Sequence, residues 1–183
     1  MTGPSSLPSL RELVATHQLN ADRRLGQHFL MDANITAKIA RAAGDLTGRD
    51  VLEIGPGPGG LTRQLLAAGA RRVVAVERDS RCLAALEALR AAEPERLRLM
   101  AADAREHDGV AATRAPRAVV AKLPYNVATP LMLGWLADGP AWEGITILIQ
   151  KEVAERLAAA PGGKQYGRLS VMAGWRAETR RLI

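Results

Sequence analysis

"VLEIGPGPGGLT", residues 51–62, decides how the rest of the chain is read. An apolar run ends in Glu53 and Ile54, and Gly55, Gly57 and Gly60 then fall into the G-x-G-x-x-G spacing. That spacing turns a strand into a helix around a dinucleotide pyrophosphate. Pro56 and Pro58 sit between the glycines, and each removes a backbone N–H that a phosphate nest would use. The glycines still permit positive φ and close backbone approach. The loop therefore suits a nucleoside ligand without phosphates better than a dinucleotide.

Outward from this loop the chain alternates short apolar runs with helical stretches. The strand-like runs are "DVLEI", "RVVAVE", "LRLMAA", "RAVVAKL" and "ITILIQ"; between them lie "LTRQLLAAG", "SRCLAALEALRAA" and "TPLMLGWLA". Nearly continuous apolar strands separated by helices predict a parallel sheet buried on both faces, in an α/β sandwich of doubly wound type. Ahead of it a short helix is predicted over Ser9 to His17, then a basic turn, then a helix in "ANITAKIARAAG". Near the end, "EVAERLAAAPGGKQYGRLSVMAGW" reads as two helices around a flexible Pro-Gly-Gly loop. "ETRRLI" reads as a strand just begun, and an unpartnered edge there makes the chain read as a piece of something longer.

Composition narrows the class. With 183 residues, 48% of them hydrophobic, the chain can bury one substantial core. The single cysteine, Cys82, excludes a disulfide framework and cysteine-built metal centres, and no metal site is expected. Without an apolar run of spanning length or a signal-peptide core, the expected location is the cytoplasm. The net charge of +6 and a pI near 10.2 favour a polyanionic partner such as nucleic acid, although solvated arginines of an Arg-rich chain give the same balance.

Ligands of a parallel sheet bind beyond the carboxyl ends of its strands. Four groups fall there at the spacing of one βα unit: the Gly55 loop, Glu77, Asp103 and "KLPY" at 122–125. Glu77 follows Gly55 at the spacing of about 20 residues at which an acid grips a ribose diol. Glu53 stands where a carboxylate can orient an amino-acid end or its waters, and Asp103 where it can accept from an adenine amino group. Taken singly, Glu53 is equally a buried strand-end acid satisfied by loop N–H groups, and Asp103 a helix N-cap. Together, and in order, they match S-adenosylmethionine, which is an adenosine joined to a sulfonium-bearing amino acid.

"RRLGQHFLMD", "VLEIGPGPGGLT", "VAVERD", "AADA", "KLPY" and "YGRLSV" occur in the order found in the bacterial rRNA adenine N6,N6-dimethyltransferase family, which the chain resembles from about Leu10 onward. The resemblance implies a Rossmann-like class I methyltransferase sandwich over residues 21–183, behind a flexible arm and short helix over 1–20. It also implies a domain that stops before its last strand and a helical C-terminal domain. Family members use S-adenosylmethionine to dimethylate two adjacent adenosines near the 3′ end of small-subunit rRNA, as part of ribosome maturation, and act as monomers. By the same resemblance, cofactor contacts fall on His28, Leu30, Gly55, Gly57, Glu77, Asp103 and Lys122. The acceptor turn falls on Lys122, Leu123, Pro124 and Tyr125, with Tyr125 stacking on the extruded adenine.

Methyl transfer to a neutral amine needs little acid–base machinery, because positive charge moves rather than separates; proximity and orientation dominate. Freeing the conjugated N6 lone pair calls for acceptors facing its hydrogens. The family places a side-chain amide there, and this chain has Lys122, whose ammonium donates three hydrogen bonds and accepts none. At about 5 Å from a sulfonium it would repel by roughly 3 kcal/mol at an effective dielectric near 20. Reduced or absent methyl transfer is therefore expected.

Two other readings compete. An NAD-dependent oxidoreductase needs the amide donors that Pro56 and Pro58 remove. A catalytically weak RNA-binding or ribosome-assembly factor on the same fold is favoured by Lys122. Cytosine-C5 methylation would need a Pro-Cys nucleophile, whereas Cys82 follows Arg81 on a predicted helix and reads as a small core residue. Arg23, Arg24, Arg168, Arg176, Arg180 and Arg181 are candidate phosphate contacts, with solvation the default for each.

Overall fold

A computed structural model describes residues 7–19, 29–123 and 127–182. Its strands are β1 (Asp50–Ile54), β2 (Arg72–Glu77), β3 (Leu97–Ala101), β4 (Arg117–Lys122) and β5 (Gly144–Leu148). Its helices are α1 (Leu10–Thr16), α2 (Ala33–Ala42), α3 (Gly60–Ala67), α4 (Ser80–Ala92), α5 (Gly109–Ala112), α6 (Ala128–Asp138), α7 (Lys151–Leu157) and α8 (Arg168–Arg176). The strands form one parallel sheet in the order β3-β2-β1-β4-β5, with Leu52 level with Val74 on one side and Val119 on the other. The chain runs outward from β1 to β3, then returns to place β4 against β1. That reversal is the topological switch point, where a cleft opens at the strand carboxyl ends.

Strand alternation divides the core into two layers. Val51, Val73, Ala75 and Val120 face one layer with Ile39 of α2, Leu61 and Leu65 of α3, and Leu86 of α4. Leu52, Val74, Val76 and Val119 face the other, with Leu131 and Trp135 of α6, and with Trp142. The sheet is thus apolar on both sides, as the unbroken strands require. Cys82 is fully buried in a third cluster with Leu13, Leu19 and Ala85, as its core reading anticipates, and burial foremost pushes its thiol up to about 12.

Local signals explain where the helices start. Ser9 caps α1 reciprocally, accepting from the Glu12 N–H at 3.2 Å while its own N–H donates to the Glu12 carboxylate at 2.6 Å. Asp32 caps α2 and Asp79 caps α4. The one-turn helix α5, capped by Asp108, is too short to show a hydrophobic period and was not anticipated.

One expectation fails. Residues 178–182 form no strand. A strand needs a ladder to bond to, and this segment lies beside α7 instead, with Arg181 3.7 Å from Glu155. Thr179, Arg180 and Arg181 line a cavity of about 470 Å³ together with Ala154 and Lys164. Among the described residues no helix is long and apolar enough to cross a membrane.

Candidate ligand site at the switch point

The glycine loop is the centre of the site, and its amides from 55 to 59 are already engaged, while Gly60 and Leu61 open α3 without a side-chain cap. The Gly55 N–H donates to the Val76 carbonyl at 2.9 Å, Gly59 to the Pro56 carbonyl at 3.0 Å, and Gly57 to Oε2 of Glu77 at 3.3 Å. Pro56 and Pro58 have no N–H to offer. From 55 to 59, then, no amide remains for a phosphate, and a carboxylate sits where a pyrophosphate would need donors. Gly55 and Gly57 hold φ of 65° and 56°, so both turns use the left-handed region. Among the described residues a Cβ at Gly55 would meet nothing within 4 Å, so open space lies before it. A Cβ at Gly57 would stand 2.8 Å from Phe29, whose ring covers the loop from the other side.

Three ionisable residues stand at or next to the ends of three adjacent strands on the same face. Glu53 alternates with Val51, Glu77 with Ala75, and Lys122 with Val120, all on the Ile39–Leu61 side of the sheet. Glu77 is buried and accepts from three backbone amides: Gly57, Arg78 at 2.8 Å and Asp79 at 2.9 Å. Burial still outweighs these bonds and raises its pKa. It is a pure acceptor with a fixed orientation.

Glu53 is only 1% exposed, and its Oε2 has no hydrogen-bond partner among the described residues. Satisfaction by loop N–H groups, one of its two readings, does not occur; that role belongs to Glu77. Burial foremost, with the nearby charge of Glu77 adding to it and the Thr62 hydroxyl opposing, raises the Glu53 carboxyl to about 8. Glu53 is therefore a neutral acid near pH 7.

Asp103 follows β3 and is not a helix cap. Its Oδ1 accepts from the Arg105 N–H at 3.0 Å and from Nε of the same residue at 3.1 Å, and its Oδ2 from Nη2 at 2.6 Å. These bonds hold its carboxyl well below the usual range. The Arg78 guanidinium lies 3.8 Å away.

Lys122 closes β4, partly buried, and burial lowers its pKa. It makes no ion pair among the described residues. Leu123 is fully buried and donates its N–H to the Leu148 carbonyl at 3.1 Å, which anchors the start of the next turn to β5. Leu30 is half-buried, and its carbonyl comes so close to Gly60 that a Cβ there would stand 2.8 Å from it. His28, Pro124 and Tyr125 lie outside the described residues, as do Arg23 and Arg24. The remaining candidate arginines are on the far C-terminal segment, where Arg176 stacks 4.4 Å over the Trp175 ring.

Phe29, Thr62 and Arg105 were not anticipated as parts of this site. Phe29 and Thr62 reach it only through tertiary packing. Arg105 had a local signal in its position two residues after Asp103, where an acid commonly bonds the following backbone.

Comparison with known proteins agrees with this geometry. The family model described as ribosomal RNA adenine dimethylase matches residues 18–183. A protein from Ruegeria sp. (strain TM1040) named ribosomal RNA small subunit methyltransferase A is 57% identical over 183 residues, covering 98% of this chain and 65% of that protein. One of the same name from Rhodospirillum rubrum is 56% identical over 182 residues, covering 100% of this chain and 63% of its own. The chain thus spans just under two thirds of the length of these relatives. Among solved structures, a dimethyladenosine transferase from Plasmodium falciparum superposes with a TM-score of 0.70 at 30% identity, over 79% of this chain and 51% of that one. The 23S rRNA methyltransferase ErmE does so with a TM-score of 0.62 at 31% identity, over 74% and 53%. With its fold, its loop and its relatives in agreement, the chain belongs to the ribosomal RNA adenine dimethylase family.

Proposed function

We propose that this chain is the cofactor-binding domain of an S-adenosylmethionine-dependent rRNA adenine N6,N6-dimethyltransferase. Its substrate is a pair of adjacent adenosines near the 3′ end of small-subunit rRNA, met in the cytoplasm during subunit maturation. The observation that carries the reading is the closed amide inventory of the glycine loop, with Gly57 donating to Glu77. Between 55 and 59 every N–H is engaged or missing, which disfavours a pyrophosphate cradle there, while the space before Gly55, open among the described residues, admits a nucleoside.

The residues fit the cofactor. Glu77, an oriented acceptor, suits two ribose hydroxyl donors. The partnerless Oε2 of Glu53 is a buried acceptor on the same face, and an ammonium brought near it would favour its ionised form. Asp103 accepts an amino hydrogen of adenine with the lone pairs that Arg105 leaves open. Leu30 contributes to the cover over the loop, and we assign His28 a role in holding the cofactor. When bound, the cofactor supplies a methyl group carried on a sulfonium. The remaining work is positional: Leu123 fixes the turn against β5, and we assign Pro124 and Tyr125 to shaping the acceptor pocket and stacking the target base. Such stacking contributes about 1–3 kcal/mol per base.

Lys122 favours a second reading, a catalytically weak RNA-binding factor on the same fold, because the acceptor turn opens with a donor-only side chain. Calorimetric titration with S-adenosylmethionine, S-adenosylhomocysteine and NAD, followed by radiolabelled methyl transfer to unmethylated small subunits, separates these outcomes. Adenosyl-ligand binding is expected and NAD binding is not; uptake of NAD alone would overturn the assignment. Reverting Lys122→Asn is expected to raise transfer, and the absence of any rise would refute the role given to Lys122.

A further inference from the structure

We propose that Lys122 makes the site selective for the neutral, demethylated form of its adenosyl ligand over the sulfonium form, an inference that rests on the cofactor reading above. The register carries it. Asp50, Val51 and Leu52 of β1 pair with Arg117, Ala118 and Val119 of β4; the ladder ends there, and Lys122 stands at the end of β4 beside the switch point, paired on its other side with Leu148 of β5. Strand alternation puts its side chain on the face of Glu53 and Glu77.

Among the described residues no ion pair holds it. Glu53 carries its proton near pH 7 in the ligand-free chain, since burial raises it to about 8, and any charge it takes on beside the ligand's ammonium is shared by the Lys122 variants compared below. The carboxylate of Glu77 is turned toward the amides of Gly57, Arg78 and Asp79. Lys122 has no ion-pair partner among the described residues and is partly buried, so solvent screens it incompletely.

A uniform cation at this position treats the two ligand forms differently. The thioether carries no charge at sulfur, and the sulfonium carries one. Were the ammonium to stand about 5 Å from the sulfur, at an effective dielectric near 20, the like charges would weaken binding about 100-fold, while the neutral form would lose nothing. The chain becomes a receptor for the product of methyl transfer, held on a fold built for the donor.

The test is the ratio of dissociation constants for S-adenosylmethionine and S-adenosylhomocysteine, measured by calorimetry on the wild-type chain and on Lys122→Met, Lys122→Asn and Lys122→Arg. Each ratio is taken within one variant, so a general loss of stability cancels. The wild type and Lys122→Arg are expected to favour S-adenosylhomocysteine by about 10- to 100-fold beyond the ratio in Lys122→Met and Lys122→Asn. If both ligands bind and the ratio is the same in all four proteins, the selectivity is overturned while the cofactor reading stands. If neither ligand binds any of the four, both fall.

Discussion

The backbone N–H of Gly57 donates to Oε2 of Glu77 at 3.3 Å, joining the loop after β1 to the last residue of β2 across 20 positions of sequence. One carboxylate thereby occupies the Gly57 amide of the loop and is itself aimed by it. Glu77→Gln replaces a pure acceptor by a group with an N–H₂ end that must face one of three amide donors. The expected result is a loss of about 1–3 kcal/mol of stability. Adenosyl-ligand affinity should fall at least about tenfold, since the hydroxyl acceptor is misdirected. Thermal melts and calorimetry on one preparation check both; an unchanged melt would show that the Gly57 and Glu77 contact contributes nothing.

Gly57 also carries Phe29. A Cβ on Gly57 would lie 2.8 Å from Cδ1 of that ring, at a φ of 56°. Gly57→Ala therefore combines a left-handed backbone cost of roughly 1–2 kcal/mol with displacement of the ring. Gly44→Ala is the control, because Gly44 has φ of 80° and nothing within 4 Å of its Cβ. Gly57→Ala should be the more destabilising of the two, and Phe29→Leu should recover part of the difference. Equal melting shifts in the two alanine variants would disprove the contact.

The Glu53 carboxyl has an ordinary value of 4.5 and a folded value of about 8, so the native state holds the extra proton. Its contribution to stability is complete below 4.5 and is lost as pH rises through 8. Glu77 is shifted in the same direction, so the comparison must isolate Glu53. Urea denaturation between pH 5 and pH 9 should show a decline with pH in the wild type that is shallower in Glu53→Gln. Parallel curves would mean that Glu53 is not protonated in the folded chain.

At the opposite end of the sheet, Asp50 is buried and accepts from Nε of Arg71 at 2.8 Å, from Arg72, and from the Arg114 N–H at 2.8 Å. Asp50→Ala leaves those donors without an acceptor and should cost about 2–4 kcal/mol. Because Asp50 begins β1 while the site lies where β1 ends, ligand affinity measured well below the melting temperature should not change. A large affinity loss at full folding would place Asp50 in the site.

The strands were readable because parallel β-strands buried on both faces are apolar without interruption. β1 and β2 have the bounds of "DVLEI" and "RVVAVE", and α4 those of "SRCLAALEALRAA". The prolines in the loop were equally readable, since a missing N–H is a covalent fact. Residues 178–182 were misread because a strand is defined by its partner, and partnership is not encoded in a segment of six residues.

Sequence alone determined which groups stand at the strand ends, because βα spacing delivers Gly55, Glu77, Asp103 and Lys122 there by chain geometry. Only the tertiary structure decided what each can accept or donate. Whether a carboxylate is spoken for depends on donors from other elements. Thus Glu77 takes a bond from the loop 20 residues away, and Glu53, buried in the folded chain, keeps an oxygen without a partner among the described residues, whereas the grip of Arg105 on Asp103 is local.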